Sequence, residues 1–366
     1  MKKIFMLIAI SAIIYKTNAQ GCVAIRSNGA TCTMTGSHET MGQPSRWTFG
    51  LNIRYFRSYK HFVGTEEQHE RTEQGTEVIN YNVSTDLGLT HTINSRWSLG
   101  LFVPVISNVR SSMYEHYGNT SKNPNARRNT RSFGLGDVRI AAYYWLANPA
   151  KMTKANVQLG LGLKLPTGDY RYQDYFWRND STKVLGPVDQ SIQLGDGGTG
   201  ISTEYNAYYR VGKAWNVYSN GFYLFNPREQ NGVSTARGGV PSAANIAYGR
   251  DVMSVPDQFM VRIGAMYALE KFQFSGGLRI EGVPAKDLIG GSNGFRRPGY
   301  VVSAEPVVVY KPGKTQFYLS VPVAVERNRT QSVPDKIQTQ KTGVFAQGDA
   351  AFADYSINFG VQIPLK

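Results

Sequence analysis

The chain is poor in cysteine and histidine and has no long apolar run beyond its first fifteen residues. Two cysteines in 366 residues cannot frame a disulfide-rich fold, which needs a dense set of bridges. After Tyr15 no stretch is long and apolar enough for a membrane helix, which takes about 20 such residues. Mean hydropathy is −0.33, so helical spans are excluded. The five histidines are His38, His61, His69, His91 and His116, and none shows a His-Glu-x-x-His or paired Cys/His spacing. His61 and the run Glu66-Glu67-Gln68-His69-Glu70 read as a solvated, charged loop. No metal site and no cofactor is expected.

What is present is glycine (38), tyrosine (22) and phenylalanine (17), with a formal net charge of +14. Lysine and arginine are scattered over the chain, without a basic helix or an RNP-like stretch. That spread argues against nucleic acid and for attraction to anionic lipopolysaccharide or anionic solutes. The N-terminus carries Lys2 and Lys3, an apolar run from Ile4 to Tyr15 and the small, polar Asn18-Ala19-Gln20. This is the pattern of a secretory signal peptide over residues 1–20. The exported chain then has a segment at 21–45 holding Cys22 and Cys32. In an oxidising compartment these are expected to close a disulfide loop that contributes about 3 kcal/mol on the chain-entropy estimate. The alternative is acylation of Cys22, for which Ala19-Gln20-Gly21 is a poor match.

The deciding signal is alternation of period two, which puts one set of side chains on each face of a strand. In Asn156–Leu165 the residues Val157, Leu159, Leu161, Leu163 and Leu165 share a face, opposite Gln158, Gly160, Gly162 and Lys164. Ala353–Leu365 repeats the pattern. Twelve such segments are read: 46–58, 79–93, 96–109, 133–147, 154–168, 199–212, 214–227, 257–269, 272–284, 299–311, 315–327 and 350–365. Each is long enough for a tilted membrane strand of about 9–11 residues. Five short connections alternate strictly with six long ones (59–78, 110–132, 169–198, 228–256, 285–298 and 328–349). Short periplasmic turns and long extracellular loops produce that rhythm. The expected fold is an all-β, twelve-stranded antiparallel up-and-down transmembrane barrel over 46–366, with both ends on the periplasmic side. Trp47, Trp97, Trp215, Phe272 and Phe317 open upward strands, and Tyr144, Tyr209, Tyr267 and Tyr310 close downward ones. With Trp145 they make an aromatic girdle at the periplasmic interface.

If the apolar face meets lipid, the other face meets the lumen. That assigns inward Arg54, Asp86, Asp137, Arg139, Lys164, Glu204, Arg210, Arg262, Arg279, Glu281, Glu305, Glu326 and Asp354. Signs alternate between neighbouring strands, and Arg54 is expected to face Asp86 and Arg279 to face Glu305. Two readings stay open: a small aqueous pore lined by charge, or a lumen filled by ion pairs. Pro104, Pro166, Pro306 and Pro322 lie within strand segments, where proline marks bulges or strand ends.

Candidate chemistry is thin. The outer-membrane phospholipase A family, also twelve-stranded, carries its nucleophile in His-x-Ser-Asn-Gly. Here Val217-Tyr218-Ser219-Asn220-Gly221 has valine where the base would stand, and a serine nucleophile needs a base in hydrogen-bond reach. No catalytic residue is assigned, and a lipid hydrolase is the weakest of three readings. Asp169 and Asp196, in glycine-rich surroundings, read as tight turns, with a rim Ca²⁺ site as the alternative. Tyr170, Tyr172, Tyr175, Phe176 and Trp177 form an aromatic cluster in the third loop, suited to packing the loop or to contacting a partner. Lys122, Arg127, Arg128 and Arg131 make a basic patch in the second loop, suited to lipopolysaccharide phosphates.

Three stretches, Phe133-Gly-Leu-Gly-Asp-Val-Arg139, Leu163-Lys-Leu-Pro-Thr-Gly-Asp169 and Leu194-Gly-Asp-Gly-Gly-Thr-Gly200 with the strand that follows to Tyr223, resemble the outer-membrane barrel family of the phenol-degradation meta-pathway. The resemblance covers roughly residues 130–225. It implies a barrel and the passage of small molecules, aromatic ones among them, and supplies no catalytic residues. The Ala-Gln cleavage zone resembles Bacteroidetes secretory signals. The leading expectation is therefore a passive channel for small solutes in the outer membrane of a Gram-negative bacterium. The second is a non-conducting scaffold subunit that contacts other outer-membrane proteins.

Overall fold

A computed structural model describes residues 46–114, 123 and 126–365, with the backbone of 20–21. The signal peptide, the Cys22–Cys32 pair and Lys122 fall outside the described residues.

Alternating side chains give twelve barrel strands. They are β1 (Trp47–Val63), β2 (Ile79–Thr92), β3 (Trp97–Met113), β4 (Arg127–Leu135 and Arg139–Trp145), β5 (Ala155–Lys164) and β6 (Gly200–Arg210). The second half holds β7 (Trp215–Phe225), β8 (Gln258–Leu269), β9 (Phe272–Val283), β10 (Gly299–Tyr310), β11 (Gln316–Ser320 and Val323–Asn328) and β12 (Ala350–Leu365). Each pairs antiparallel with its neighbours in sequence, and β12 pairs back onto β1 from Trp47↔Leu365 to Phe62↔Ala350. The sheet thus closes on itself, which removes the edges a sheet would otherwise expose in lipid.

Three strands run further than their apolar alternation. β1 continues to Val63, β3 to Met113, and β4 begins at Arg127, so parts of the expected loops are ladder. Above the lipid the outer face no longer has to be apolar, and the period-two hydrophobic signal stops while the hydrogen bonds continue. Two strands are broken. Pro104 of β3 lies opposite the break in β4, and Pro306 of β10 lies opposite the break in β11, which contains Pro322 itself. Proline has no N–H for the ladder. Its carbonyl still serves, because the Gly136 N–H donates to Pro104 O (2.8 Å) and the Val321 N–H to Pro306 O (3.2 Å).

The outward face carries Leu99, Leu101, Ile140, Leu159, Leu161, Leu163, Ile201, Val217, Ile263, Leu278 and Phe359, all exposed. So wide an apolar belt exceeds the patches of a few hundred Å² that water-soluble monomers tolerate. Leu161, 61% exposed at mid-strand, is a direct test. Leu161→Lys should cost about 2–4 kcal/mol in a bilayer, as lysine does at the midplane of such barrels. Urea titration in lipid vesicles measures it, and a cost below about 1 kcal/mol, the interfacial value, would contradict the lipid-facing assignment.

At the short-turn end aromatic rings pair between strands: Trp97 with Tyr144 (4.7 Å between centroids), Trp215 with Tyr267 (5.0 Å) and Phe272 with Tyr310 (4.8 Å). Trp145 departs from the expected girdle. It turns into the lumen against Tyr208 (6.0 Å), because it follows Tyr144 in a strand and so takes the opposite face. Inside the wall, the rings of Phe102 and Tyr143 lie over Gly100 and Gly160, where an added Cβ would come within 2.7 Å of a ring atom.

Candidate functional site

The lumen holds a central layer of charge. Arg54, Arg139, Arg262 and Arg279 face Asp86, Glu204, Glu281 and Glu305, and all eight are buried. Arg54 Nη2 reaches Glu281 Oε1 at 2.8 Å, a contact that crosses the lumen from β1 to β9. Glu281 also takes Arg279 beside it, and Arg279 and Arg262 approach Glu305 at 3.7 and 3.4 Å. Arg139 pairs with Glu204, which accepts from the Tyr143 hydroxyl at 3.1 Å. Removing charges from water costs several kcal/mol per ion, so a layer this dry has to balance sign, and here four cations meet four carboxylates. The expected Arg279–Glu305 approach is present. Arg54 is not on Asp86, whose carboxylate accepts instead from Asn52 Nδ2 (3.4 Å).

The other inward assignments fall elsewhere. Arg210 is half-buried at the periplasmic end. Asp354 is half-buried at the extracellular end, bonded by the Tyr59 hydroxyl (2.5 Å) and paired with Lys60 (3.3 Å). Glu326 is a correction: it is exposed on the outer face and accepts from the Tyr300 hydroxyl (2.9 Å). The ladder between β10 and β11 shifts register between Val302 and Ser303. That bulge reverses the parity of β11, and Arg327 takes the buried position instead.

The three glycine-rich stretches meet at one point. Asp137 Oδ1 accepts from the Gly168 N–H (3.0 Å) and Oδ2 from the Asp196 N–H (3.1 Å). Thr167 Oγ1 accepts from the Val138 N–H (2.8 Å) and donates to Gly136 O (2.9 Å). The Lys164 ammonium pairs with Asp196 and lies 3.7 Å from Asp137. Glycine is required where the backbones touch. A Cβ on Gly195 would come 2.5 Å from Asp137 Oδ1 and 2.7 Å from Gly168 O. The carboxylates considered for calcium are thus engaged within the chain, Asp196 by Lys164 and Asp169 by the Arg171 N–H (2.9 Å). The knot fastens the third loop to the wall.

From that knot the third loop (165–199) forms a two-stranded hairpin, Gln173–Trp177 with Lys183–Pro187, and its returning segment runs inside the barrel mouth. Val188, Ile192 and Leu194 are buried, and Ile192 O accepts from Asn108 Nδ2 (3.2 Å) and the Ser132 hydroxyl. Asp189 caps a single 3₁₀ turn, Gln190–Ile192, by accepting from the Ser191 N–H (3.0 Å). The same carboxylate receives both Nη atoms of Arg297 (2.9 and 2.8 Å), Arg237 at 3.1 Å and Arg110 at 3.5 Å. Burial works against its charge, yet the three guanidiniums outweigh burial and hold the carboxyl well below the usual range. A depressed carboxyl stabilises the folded state above its unfolded value of about 3.9 and ceases to do so as pH falls through the lower folded value. The loop should therefore stay anchored from pH 8 to 5 and loosen only below about 4. Limited proteolysis across that range checks it, and release near pH 6 would contradict it.

The lumen is consequently divided. A cavity of about 210 Å³ opens on the periplasmic side, among Asn52, Asp86, Tyr143 and Trp145. Another of about 90 Å³ lies beneath the third loop, among Arg54, Asn82, Asn108, Gln193 and Arg297. A third of about 160 Å³ lies above it, among Asp189, Arg237, Arg250 and Phe295. Of the loop aromatics, Phe176 is fully buried, Trp177 packs on Met113, Tyr114 and Ala126, Arg228 stands over Tyr170 (5.7 Å), and Tyr175 is exposed. In the second loop, Arg127 donates to Gly75 O (2.8 Å) and Arg128 pairs with Asp180 (3.1 Å), while Arg131 is exposed.

The sequence reading missed Asp189, Arg110, Arg237 and Arg297. They lie outside the period-two segments or at their polar ends, and only the length of the third loop hinted at a working part, since structureless connections beyond about 12–15 residues are uncommon.

Among solved structures, an outer membrane channel from Pseudomonas putida F1 matches 87% of this chain and 95% of its own, at 11% identity and a TM-score of 0.56. The chain has the fold of an outer-membrane β-barrel. The translocator domain of autotransporter NalP from Neisseria meningitidis (10% identity, 91% and 93% covered, TM-score 0.47) and the CymD monoaromatic hydrocarbon channel (10%, 96% and 99%, 0.41) are more distant. At these identities the likeness is one of fold. No family model and no curated protein matches the chain.

Proposed function

We propose that this protein is a passive channel for small hydrophilic solutes in the outer membrane of a Gram-negative bacterium, closed in this conformation by its third loop. One observation carries the reading. Alongside its apolar clusters the barrel interior buries a thin layer of ion pairs and keeps cavities on both sides of it, where a purely structural core would be filled throughout. Charged side chains around a constriction are a means of selecting ions and solutes. The three glycine-rich stretches support affiliation with the phenol-degradation meta-pathway barrels, and their knot suggests what the shared residues do: they hold an inward loop.

A scaffold role is the second reading, favoured by the Arg54–Glu281 contact across the lumen. Hydrolysis has less support, since the Ser219 hydroxyl shares its hydrogen bond with Tyr205 (2.9 Å) and the His91 ring lies tilted against Trp47 (4.2 Å). Single-channel recording in planar bilayers tests the proposal. Discrete open steps are expected from the purified barrel, and their absence from folded protein would favour the scaffold.

A further inference from the structure

Resting on the channel reading, we propose that Asp189 is a built-in carboxylate standing in the place that a small carboxylate solute takes on its way through. Such a solute opens the third loop by displacing Asp189 from Arg297, Arg237 and Arg110. The site is shaped for a carboxylate rather than for any anion. Arg297 meets Asp189 through two parallel N–H···O contacts of 2.9 and 2.8 Å, the planar fork geometry that guanidinium makes with carboxylate or phosphate. A halide is a single atom and has no pair of oxygens to fill that fork.

Position supports the same conclusion. Arg297 lines the cavity beneath the third loop, whereas Asp189 and Arg237 line the cavity above it, and Gln190 and Met253 border both. The ion pair therefore stands in the partition between the two spaces, and a solute crossing from one to the other meets it.

Charge draws the solute there. Close by, Arg250 and Arg329 share Asp335, at 2.8 and 3.2 Å, so among the described residues these two clusters set five guanidiniums against two carboxylates. Arg71 lies against Asp349, which also accepts from His61, one guanidinium to one carboxylate. A low-dielectric cleft lined by one sign concentrates ions of the other.

Exchange is also energetically accessible. Replacing one carboxylate by another on the same guanidiniums leaves the number of charge-assisted hydrogen bonds unchanged, so the equilibrium follows solute concentration. What Asp189 holds in place is a single 3₁₀ turn, Gln190–Ile192, whose other polar ties include Gln190 to Ser254 O and Phe295 O. A dicarboxylate engages Arg297 and Arg237 together and is expected to act at lower concentration than a monocarboxylate.

The experiment is planar-bilayer recording of the purified full-length protein at constant ionic strength, with potassium chloride replaced stepwise by potassium succinate or acetate. Open probability of the unaltered protein should rise about tenfold with succinate, corresponding to 1.4 kcal/mol, less with acetate, and not with chloride. In Asp189→Asn the channel should open without succinate and lose the response. Arg297→Lys keeps the charge but not the fork, and should need about tenfold more succinate. Barrel folding of each variant is verified by heat-modifiable electrophoretic migration. Open steps that ignore succinate in the unaltered protein, or a full succinate response in Asp189→Asn, would overturn the inference and leave the channel reading intact. No current from any folded form in any salt would overturn the channel reading itself.

Discussion

Glu281→Ala is expected to destabilise the barrel by about 3–5 kcal/mol, the cost of breaking a buried ion pair from one side. Glu281 is 2% exposed and serves two cations, Arg54 from β1 and Arg279 from its own strand. Its removal takes that carboxylate from Arg54 and leaves Arg279 with Glu305 at 3.7 Å, a carboxylate it shares with Arg262. Desolvation and like-charge repulsion then act together. The loss belongs mainly to the stranded cations, so Arg54→Met in the Glu281→Ala background should recover much of it, since apolar replacement of a whole buried pair is often neutral or stabilising. Unfolding in urea, followed by tryptophan fluorescence in detergent micelles, measures all three proteins. A single-variant loss below about 1 kcal/mol, the range of exposed pairs, would mean that water reaches this layer freely. A double variant weaker than Glu281→Ala would mean that the pair is worth more than its parts.

The other large effect concerns the anchor of the third loop. Gly195→Val and Lys164→Met are each expected to raise single-channel conductance several-fold while the barrel stays folded. The valine Cβ would enter the space of Asp137 Oδ1 and Gly168 O, and backbone there has no room to yield, because Gly168 and Gly195 already touch. Lys164→Met acts differently. It removes the ammonium between Asp137 and Asp196, leaving two carboxylates that repel. Either change unties the loop from the wall at its C-terminal side, although Asp189 and its arginines still hold it nearer the mouth. Larger open steps, or protease cleavage within 188–196, report the release. Unchanged conductance and protection in both variants would show that the knot only stiffens the wall. A folded Asp189→Asn protein with the same small steps as the parent would locate the constriction in the Arg54–Glu281 layer instead.

Much of this molecule is legible in its sequence. Leu159, Leu161 and Leu163 alternate with Gly160, Gly162 and Lys164 because lipid lies on one side of a strand and the lumen on the other, and no other environment imposes that period so uniformly. Strand number, strand order and the long-loop end follow, since in a meander each strand pairs with its sequence neighbours. The breaks at Pro104, Pro306 and Pro322 are local chemistry, written in residues that cannot donate. Even Glu326 fails for a local reason, a bulge that a count of alternating residues cannot register.

The site is another matter. Arg54 and Glu281 lie 227 residues apart in the chain, and nothing near either one names the other. Parity sends both inward, but which charges meet across a lumen depends on how the closed sheet is sheared and tilted. The same holds for Asp189, one aspartate in a long loop without periodic pattern, whose partners come from β3 and from two other loops. The alternation along the chain determined the barrel by itself, because a strand's two faces are a property of neighbouring residues. Only the closed tertiary structure decided that the third loop turns inward and that three arginines converge on one carboxylate, because those contacts join distant segments across a shared interior.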